Sequence, residues 1–272
     1  MVIQHNIAAI NSYRNLSTNQ SALSKNLEKL SSGYRINRAG DDAAGLAISE
    51  TMRSQINGLN QAVNNANDAI GLIQTAEGAL TETHSMLQRM KTLTTQASND
   101  TYTATARGNI KAELDALGAE ITRISTTTEF NGKKPLGTAK GVLTFFIGAS
   151  HMTENQMTVG QADMSAKALT VATLTVTSAT FAFASMEKVD NAINTVSTFR
   201  ASLGAAQNRL EHTVNNLKVT SENITSAESR IRDTDMADEI TAYTKNNILL
   251  QAAQSMLSQS NAMPQGVLSM LQ

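Results

Sequence analysis

The sequence predicts a mostly α-helical fold, in which long antiparallel helices form a coiled-coil bundle with a small inserted β-hairpin region. Apolar residues recur at alternating spacings of four and three over long stretches, the heptad pattern of helices that pack along a seam. The 272 residues include only two prolines, so little interrupts a long helix. Strand-like patterning is confined to about residues 130–185.

The clearest heptad predicts one helix over residues 189–231. At about 1.5 Å per residue this helix would be roughly 65 Å long. Its seam consists mainly of aliphatic side chains, namely Val189, Ile193, Val196, Arg200, Leu203, Gln207, Leu210, Val214, Leu217, Ser221, Ile224, Glu228 and Ile231.

Two further helices are predicted in the first half of the chain. A heptad from Met52 to Leu87 indicates, with its flanks, a helix over about 44–98. The next helix is predicted over about 105–128, and its apolar stripe consists of Ile110, Leu114, Leu117, Ile121 and Ile124.

Both ends of the chain have one apolar stripe on an otherwise polar helix. Neither helix can bury its stripe alone, so we expect the first helix to pair with the last in antiparallel orientation. The amino-terminal stripe contains Ile3, Ile7, Ile10, Leu16, Leu23, Leu27 and Leu30. The carboxyl-terminal stripe contains Leu249, Ala253, Met256, Ser260, Met263, Val267 and Met270.

The middle of the chain is predicted to contain one or two hairpins. Asn131-Gly132 is a turn signal, and Val142 to Ile147 is patterned as a strand. A second strand is predicted from Leu169 to Phe183, where threonine and valine alternate.

Polar connectors separate the terminal helices from the inner ones. Residues 31–43 form the first connector, where Asp41 or Asp42 is expected to cap the next helix. Residues 232–239 mirror it before the last helix. The predicted division is a terminal-helix domain of residues 1–43 plus 233–272, and a helical shell domain of residues 44–232 with the hairpins inserted at about 130–185.

Composition excludes several classes of protein. The absence of cysteine excludes disulfides, cysteine-bound zinc, iron–sulfur clusters and cysteine nucleophiles. The net charge of −1 lacks the basic excess of a nucleic-acid-binding protein. No apolar run is long enough for a membrane helix, and the amino terminus lacks a secretory signal pattern. Composition alone therefore favours a cytoplasmic protein.

No catalytic, metal-binding or cofactor-binding pattern emerges, so we expect no enzyme. The four histidines have no metal-ligand partner at helical spacing. The acidic residues Asp233, Asp235 and Asp238 lack the spacing of a calcium-binding loop. They are expected instead to precede a helix and to interact favourably with the positive end of its dipole. Arg89, Lys91, Arg107 and Glu113 are expected on neighbouring helices, and the pattern alone favours a solvated charged face.

Four segments resemble the signatures of bacterial flagellin. Residues 27–48 read LEKLSSGYRINRAGDDAAGLAI, which is similar to the amino-terminal signature. Residues 203–212, LGAAQNRLEH, and 246–257, NNILLQAAQSML, resemble the carboxyl-terminal half, followed by PQGVL at 264–268. The resemblance covers residues 1–132 and 185–272 in the family's order.

The resemblance implies a secreted structural subunit that polymerises into the flagellar filament for motility. The segment 133–184 is too short for the outer β domains of larger members, so we expect a minimal form with two inner layers. In the family the subunit is exported unfolded through the type III apparatus with an uncleaved signal, which accounts for the missing secretory pattern. The unpaired stripes suggest that the termini fold on joining the filament.

The resemblance also implies partners and contact residues. The polymerisation residues are those of the two terminal stripes, and filament cap and hook-junction proteins are expected to bind the chain. The Toll-like receptor for flagellin is expected to contact Arg89, Leu93 and Glu113, with Thr92 where many members have glutamate. A secretion chaperone is expected to contact Ile248, Leu249, Met256, Leu257, Val267, Leu268 and Leu271.

Three other functions compete with the filament subunit. A hook–filament junction protein shares the terminal helices, but the uninterrupted carboxyl-terminal signature argues against it. A secreted coiled-coil scaffold outside the flagellum would share the heptads. A flagellin with an inserted metalloprotease would need a His-Glu-x-x-His motif, which the sequence lacks. We expect no nucleic-acid or membrane partner.

Overall fold

The computed structural model describes five long helices and one two-stranded sheet, which confirms the predicted fold class. It describes the backbone of residues 6–138 and 141–270, and the side chains of that range except at 264, 265 and 267–270. In chain order the helices and strands are α1 (Ile7–Ser32), α2 (Ala43–Ala97), α3 (Ala104–Thr127), β1 (Val142–Phe146), β2 (Gln156–Gly160), α4 (Ala179–Arg232) and α5 (Met236–Met270).

The helical periodicity of the sequence predicted the bounds of α2 and α3 accurately. The observed bounds of α2 and α3 lie within one residue of those predicted. Helix α4 begins at Ala179, ten residues before the predicted start at Val189. Ala182 and Ser185 extend its buried stripe by the same spacing of three and four. The predicted seam relied on large aliphatic residues, so the small side chains of Ala182 and Ser185 did not indicate that the helix starts earlier.

The predicted strand from Leu169 to Phe183 is wrong. Its backbone makes local turns instead, in which the Val171 and Ala172 amides both donate to the Ala166 carbonyl. The Ser185 hydroxyl then donates to the Thr175 carbonyl and accepts from the Thr175 amide, at 2.8 and 3.1 Å. These hydrogen bonds pair backbone groups of the segment without a neighbouring strand. The alternating pattern therefore reflects alternating burial of side chains and not pairing in a β-sheet. Its buried members are Leu169, Val171, Leu174 and Val176.

The hairpin consists of β1 and β2, which pair antiparallel with Val142 opposite Gly160 and Phe146 opposite Gln156. The first strand was predicted, but the second was not recognised. Met157 and Val159 of β2 are buried, so this strand presents alternate side chains to the core. The Asn65 side-chain amide of α2 donates to the Phe146 carbonyl at 2.9 Å.

The chain divides into two compact units. Unit 1 contains residues 1–54 and 222–272, and unit 2 contains residues 55–221. The division therefore falls inside α2 and α4, and not at the connectors where the sequence suggested it. The first turns of α2 belong with unit 1, since Ser49 donates to Glu228 at 3.1 Å and Arg232 donates to Glu50 at 3.0 Å.

Unit 2 has a continuous apolar core. The seams of α2 and α4 meet side chains of α3, β2 and the loop before α4. Among its fully buried side chains are Ile73, Leu80, Leu87, Met90, Ile121, Leu136, Leu203 and Leu210.

We predict that Leu87→Ala lowers the free energy of unfolding of unit 2 by about 2–5 kcal/mol, since it leaves a cavity at a fully buried site. Urea unfolding of the full chain, followed by circular dichroism, measures the loss. Val219→Ala on α4 is the control, because Val219 is 56% exposed and its truncation leaves no cavity. Equal losses for the two variants would contradict the assigned core.

Candidate polymerisation and receptor surfaces

Helices α1 and α5 of unit 1 pair in antiparallel orientation. At one end the Asn6 side-chain amide donates to the Ser260 carbonyl at 2.8 Å. At the other end the Lys29 ammonium lies 3.8 Å from a carboxylate oxygen of Glu239. Unit 1 therefore holds the two terminal helices side by side over most of the length of α1.

The pair leaves six of the eleven stripe residues with described side chains exposed. Leu23, Leu30, Ala253 and Leu257 are half-buried between the helices. Ile3 and Leu271 lie outside the described residues, as do the side chains of Val267, Leu268 and Met270. The stripe residues that remain exposed are Ile7, Ile10, Leu27, Leu249, Met256 and Met263, and the neighbouring Ile248 is exposed as well.

An open groove on α5 adds to this apolar surface. It encloses about 480 Å³ and is lined by Ile240, Thr241, Thr244, Lys245, Ile248 and Leu249. Ile240 and Ile248 are 52% and 61% exposed. A contiguous exposed apolar patch of this kind is typical of a protein–protein contact.

The two connectors of unit 1 are joined through their backbones. The Arg35 amide donates to the Arg232 carbonyl at 2.7 Å, and the Thr234 amide donates to the Gly33 carbonyl at 3.0 Å. Gly33 ends α1 with φ of 74°, the left-handed conformation that favours glycine. These bonds tie the end of α1 to the end of α4.

Arg232 links three further groups within unit 1. Its guanidinium carbon lies 4.6 Å from the centre of the Tyr34 ring. Its Nη1 donates to Glu50 at 3.0 Å and to the Ser49 hydroxyl at 3.4 Å. The Arg232 side chain is only 12% exposed. The sequence predicted no role for this arginine, because its partners Tyr34, Ser49 and Glu50 lie nearly two hundred residues away along the chain.

Aspartates cap the helices that follow the connectors. Asp42 accepts from the Gly45 amide at 2.8 Å, which confirms the predicted cap of α2. Asp235 caps α5 by accepting from the Ala237 and Asp238 amides. Asp41 instead accepts from the Arg38 and Asn37 amides, and these bonds lower the pKa of its carboxyl. Because that pKa is lower in the folded chain, the stabilisation exists above the unfolded pKa and is lost as the pH falls through the folded value.

The predicted charged face is present in part. Arg89 of α2 makes two contacts with Glu113 of α3, from Nε at 2.9 Å and Nη2 at 2.8 Å, and both side chains are about half exposed. Lys91 pairs with Asp190 of α4 at 2.7 Å. The pair Arg89–Glu113 thus displays one cation and one anion together on the surface of unit 2.

Arg107 and Leu93 do not belong to that face. Arg107 is mostly buried and donates to the Ala97 and Asn99 carbonyls, so it holds the turn between α2 and α3. Leu93 is 2% exposed and lies in the apolar core. Leu93 therefore packs α2 against the core of unit 2, and its expected contact with a receptor stays a prediction.

The described part of the chain contains neither a metal-binding cluster nor a membrane-spanning helix. No group of three or more histidine, aspartate or glutamate side chains there could hold a metal ion. Among the described helices, none is both long and apolar enough to cross a bilayer.

Comparison with known proteins identifies the family of the chain. The sequence model for the bacterial flagellin N-terminal helical region matches residues 3–140, and the model for the C-terminal helical region matches residues 186–271. The chain belongs to the bacterial flagellin family. It is accordingly a structural subunit of the extracellular flagellar filament.

Individual flagellins support this membership over the whole chain. The flagellin of Bacillus subtilis (strain 168) is 53% identical over 305 aligned residues, with 100% of both chains covered. That of Halalkalibacterium halodurans is 48% identical, also with full coverage of both. The crystal structure of Bacillus cereus flagellin superposes with a TM-score of 0.51 at 32% identity, covering 61% of this chain and 94% of that one.

We predict that Arg232→Leu loosens the connectors, because Glu50, Ser49 and the Tyr34 ring lose the guanidinium that joins them. The expected cost is about 1–3 kcal/mol, typical of removing one member of a charged hydrogen-bonded pair. Amide hydrogen exchange in assembled filaments should then be faster at Arg35 and Thr234. Arg53→Leu is the matched control, since Arg53 also pairs with Glu50 but is half exposed. Unchanged exchange in Arg232→Leu would contradict the role given to Arg232.

Proposed function

We propose that this flagellin is exported unfolded and that its terminal helices fold as each subunit joins the filament. The observation that carries the proposal is the exposed apolar stripe of α1 and α5. Isolated helices are marginally stable in water, and their stability comes mainly from packing of an apolar face. The antiparallel pair buries too little of its apolar stripe to stabilise the two helices by itself. In this proposal, neighbouring copies of the subunit cover the rest of the stripe.

Repetition of one contact between copies accounts for a polymer. A contact between two different surfaces of a subunit, repeated with a rotation that does not close, builds an open helical filament. In the proposal residues 1–43 and 233–272 form the inner tube, and residues 44–232 form the surrounding shell. The self-contained core of unit 2 fits the shell role, since it needs no second copy to bury its seams.

The exposed surface of α5 also fits an export chaperone. The groove at Ile240, Ile248 and Leu249 lies on the helix that the chaperone is proposed to cover, before the stripe is buried in the filament. Filament cap and hook-junction proteins complete the proposed set of partners. The proposal includes no catalytic step and no cofactor.

We predict that Met256→Asp blocks filament growth, because assembly would bury an unpaired carboxylate where an apolar side chain now stands. Heat-dissociated protein, cooled with filament seeds, is followed by sedimentation and negative-stain electron microscopy. The unchanged chain should form filaments of micrometre length, whereas the variant should stay in the supernatant.

Ser255→Asp is the control for that experiment, because it adds the same charge at the exposed neighbouring position, outside the stripe. It should polymerise, and both variants should keep the urea transition of unit 2. Filaments from Met256→Asp as long as those of the unchanged chain would refute the proposed role of the stripe.

We further propose that the Arg89–Glu113 pair forms the centre of a contact with the Toll-like receptor for flagellin. The two side chains are close, half exposed and on adjacent helices of a rigid core, which suits recognition by a charged receptor surface. Thr92 adds a hydroxyl beside them in place of a carboxylate. Leu93 acts in this proposal through the packing of α2.

We predict that Arg89→Ala combined with Glu113→Ala weakens receptor binding about tenfold or more, as expected for the centre of an interface. Surface plasmon resonance with the purified receptor ectodomain measures the dissociation constant. Lys111→Ala with Asp115→Ala is the matched control, since that pair is a comparable exposed ion pair on α3. Equal affinity of the two double variants would rule out the proposed epitope.

A further inference from the structure

A buried asparagine lies in the seam between α1 and α5. Asn26 is 8% exposed, and among the described residues of α1 it is the one buried side chain. With the amide turned to satisfy its neighbours, its nitrogen donates to the Ala22 carbonyl at 3.1 Å and to Glu239 Oε1 at 3.0 Å. Its oxygen accepts from the Asn246 side-chain amide at 3.0 Å and from the Tyr243 backbone amide at 3.2 Å.

The apolar stripe does not distinguish one register from another. On α5 it repeats every seven residues, with Leu249, Met256 and Met263 at equivalent positions. Sliding α1 by seven residues would therefore replace one apolar contact by a similar one. Coiled coils with a uniform seam have this ambiguity, and a single buried asparagine is known to remove it.

Asn26 finds its partners in one register only. A seven-residue slip would bring Asn246 to the place of Glu239, and Ala253 to the place of Asn246. The carboxylate acceptor would be lost, and the amide oxygen would face a methyl group. Lys29 would lose Glu239 at the same time, since that pair has the same offset. The slip would therefore leave the buried Asn26 amide with fewer hydrogen bonds, although its bond to the Ala22 carbonyl within α1 remains, and this loss disfavours the slipped pair.

We propose that Asn26, with Glu239 and Asn246, sets the register of α1 against α5 and so selects one arrangement of the terminal helices in the filament. The three are positioning residues for assembly. This inference rests on the proposed function, because the helices are packed stably only in the filament.

The absence of cysteine from the chain allows the register to be read by cross-linking. Asn6→Cys with Ser260→Cys reports the native register, because these residues are in contact. Asn6→Cys with Val267→Cys reports the slip that brings Asn246 to the place of Glu239, because the same slip brings Val267 to the place of Ser260. Each pair is introduced into the full-length chain, assembled with an excess of unchanged subunits, and oxidised in the filament. Intrachain disulfides are separated from interchain ones by mobility on a non-reducing gel.

With Asn26 in place, we expect the native pair to cross-link and the slipped pair to give only background. Asn26→Leu should raise the slipped cross-link by about fivefold or more, the factor expected when roughly one buried hydrogen bond no longer discriminates between registers. Asn15→Leu is the control, because Asn15 is an exposed asparagine of the same helix. It should leave the slipped cross-link at background.

Glu239→Gln separates the hydrogen bond from the charge. Its amide oxygen can still accept from Asn26, so the slipped cross-link should stay low although the Lys29 ion pair is lost. A slipped cross-link at background in Asn26→Leu filaments would overturn the proposal. So would exclusion of Asn26→Leu subunits from mixed filaments, because a slipped pair keeps its apolar stripe and should enter them. Absence of any filament from unchanged subunits would instead count against the proposed function.

Discussion

An amphipathic helix must bury its apolar stripe against another surface, and the whole chain is arranged by that constraint. In unit 2 the stripes of three helices meet within one chain, so that Leu80, Ile121 and Leu210 are all fully buried. In unit 1 the two terminal helices have only each other, and side chains such as Ile10 and Met256 stay exposed. One rule thus yields a unit that buries its own stripes and a unit that leaves much of its apolar stripe exposed.

Polar groups give unit 1 the order that its apolar contacts lack. Backbone bonds join its connectors, Arg232 holds Tyr34 and Glu50, and Asn26 meets Glu239 inside the helix seam. Directional bonds distinguish arrangements that a repeating apolar stripe treats as equal. A flagellin subunit that is a filament building block needs such distinctions, because any ambiguity within one subunit would be repeated along the polymer.

Residues of the same type have different tasks according to where the fold places them. Arg89 and Arg107 were both expected on a charged face. Arg89 pairs with Glu113 at the surface, whereas Arg107 donates to backbone carbonyls of the turn between α2 and α3. Leu93 lies four residues after Arg89 on the same helix, yet its side chain is buried in the core. Exposure, which sequence spacing alone does not report, decides which of them a partner can contact.

The sequence by itself determined the inner helices, the Asp42 cap and the family, because periodicity, capping and signature motifs are encoded in neighbouring residues. Only the tertiary structure decided that residues 169–176 are buried loop and that β2 is the partner of β1. The same holds for the roles of Arg232 and Asn26. Their hydrogen-bond partners lie on distant parts of the chain, and a local pattern carries no information about which distant group will be near.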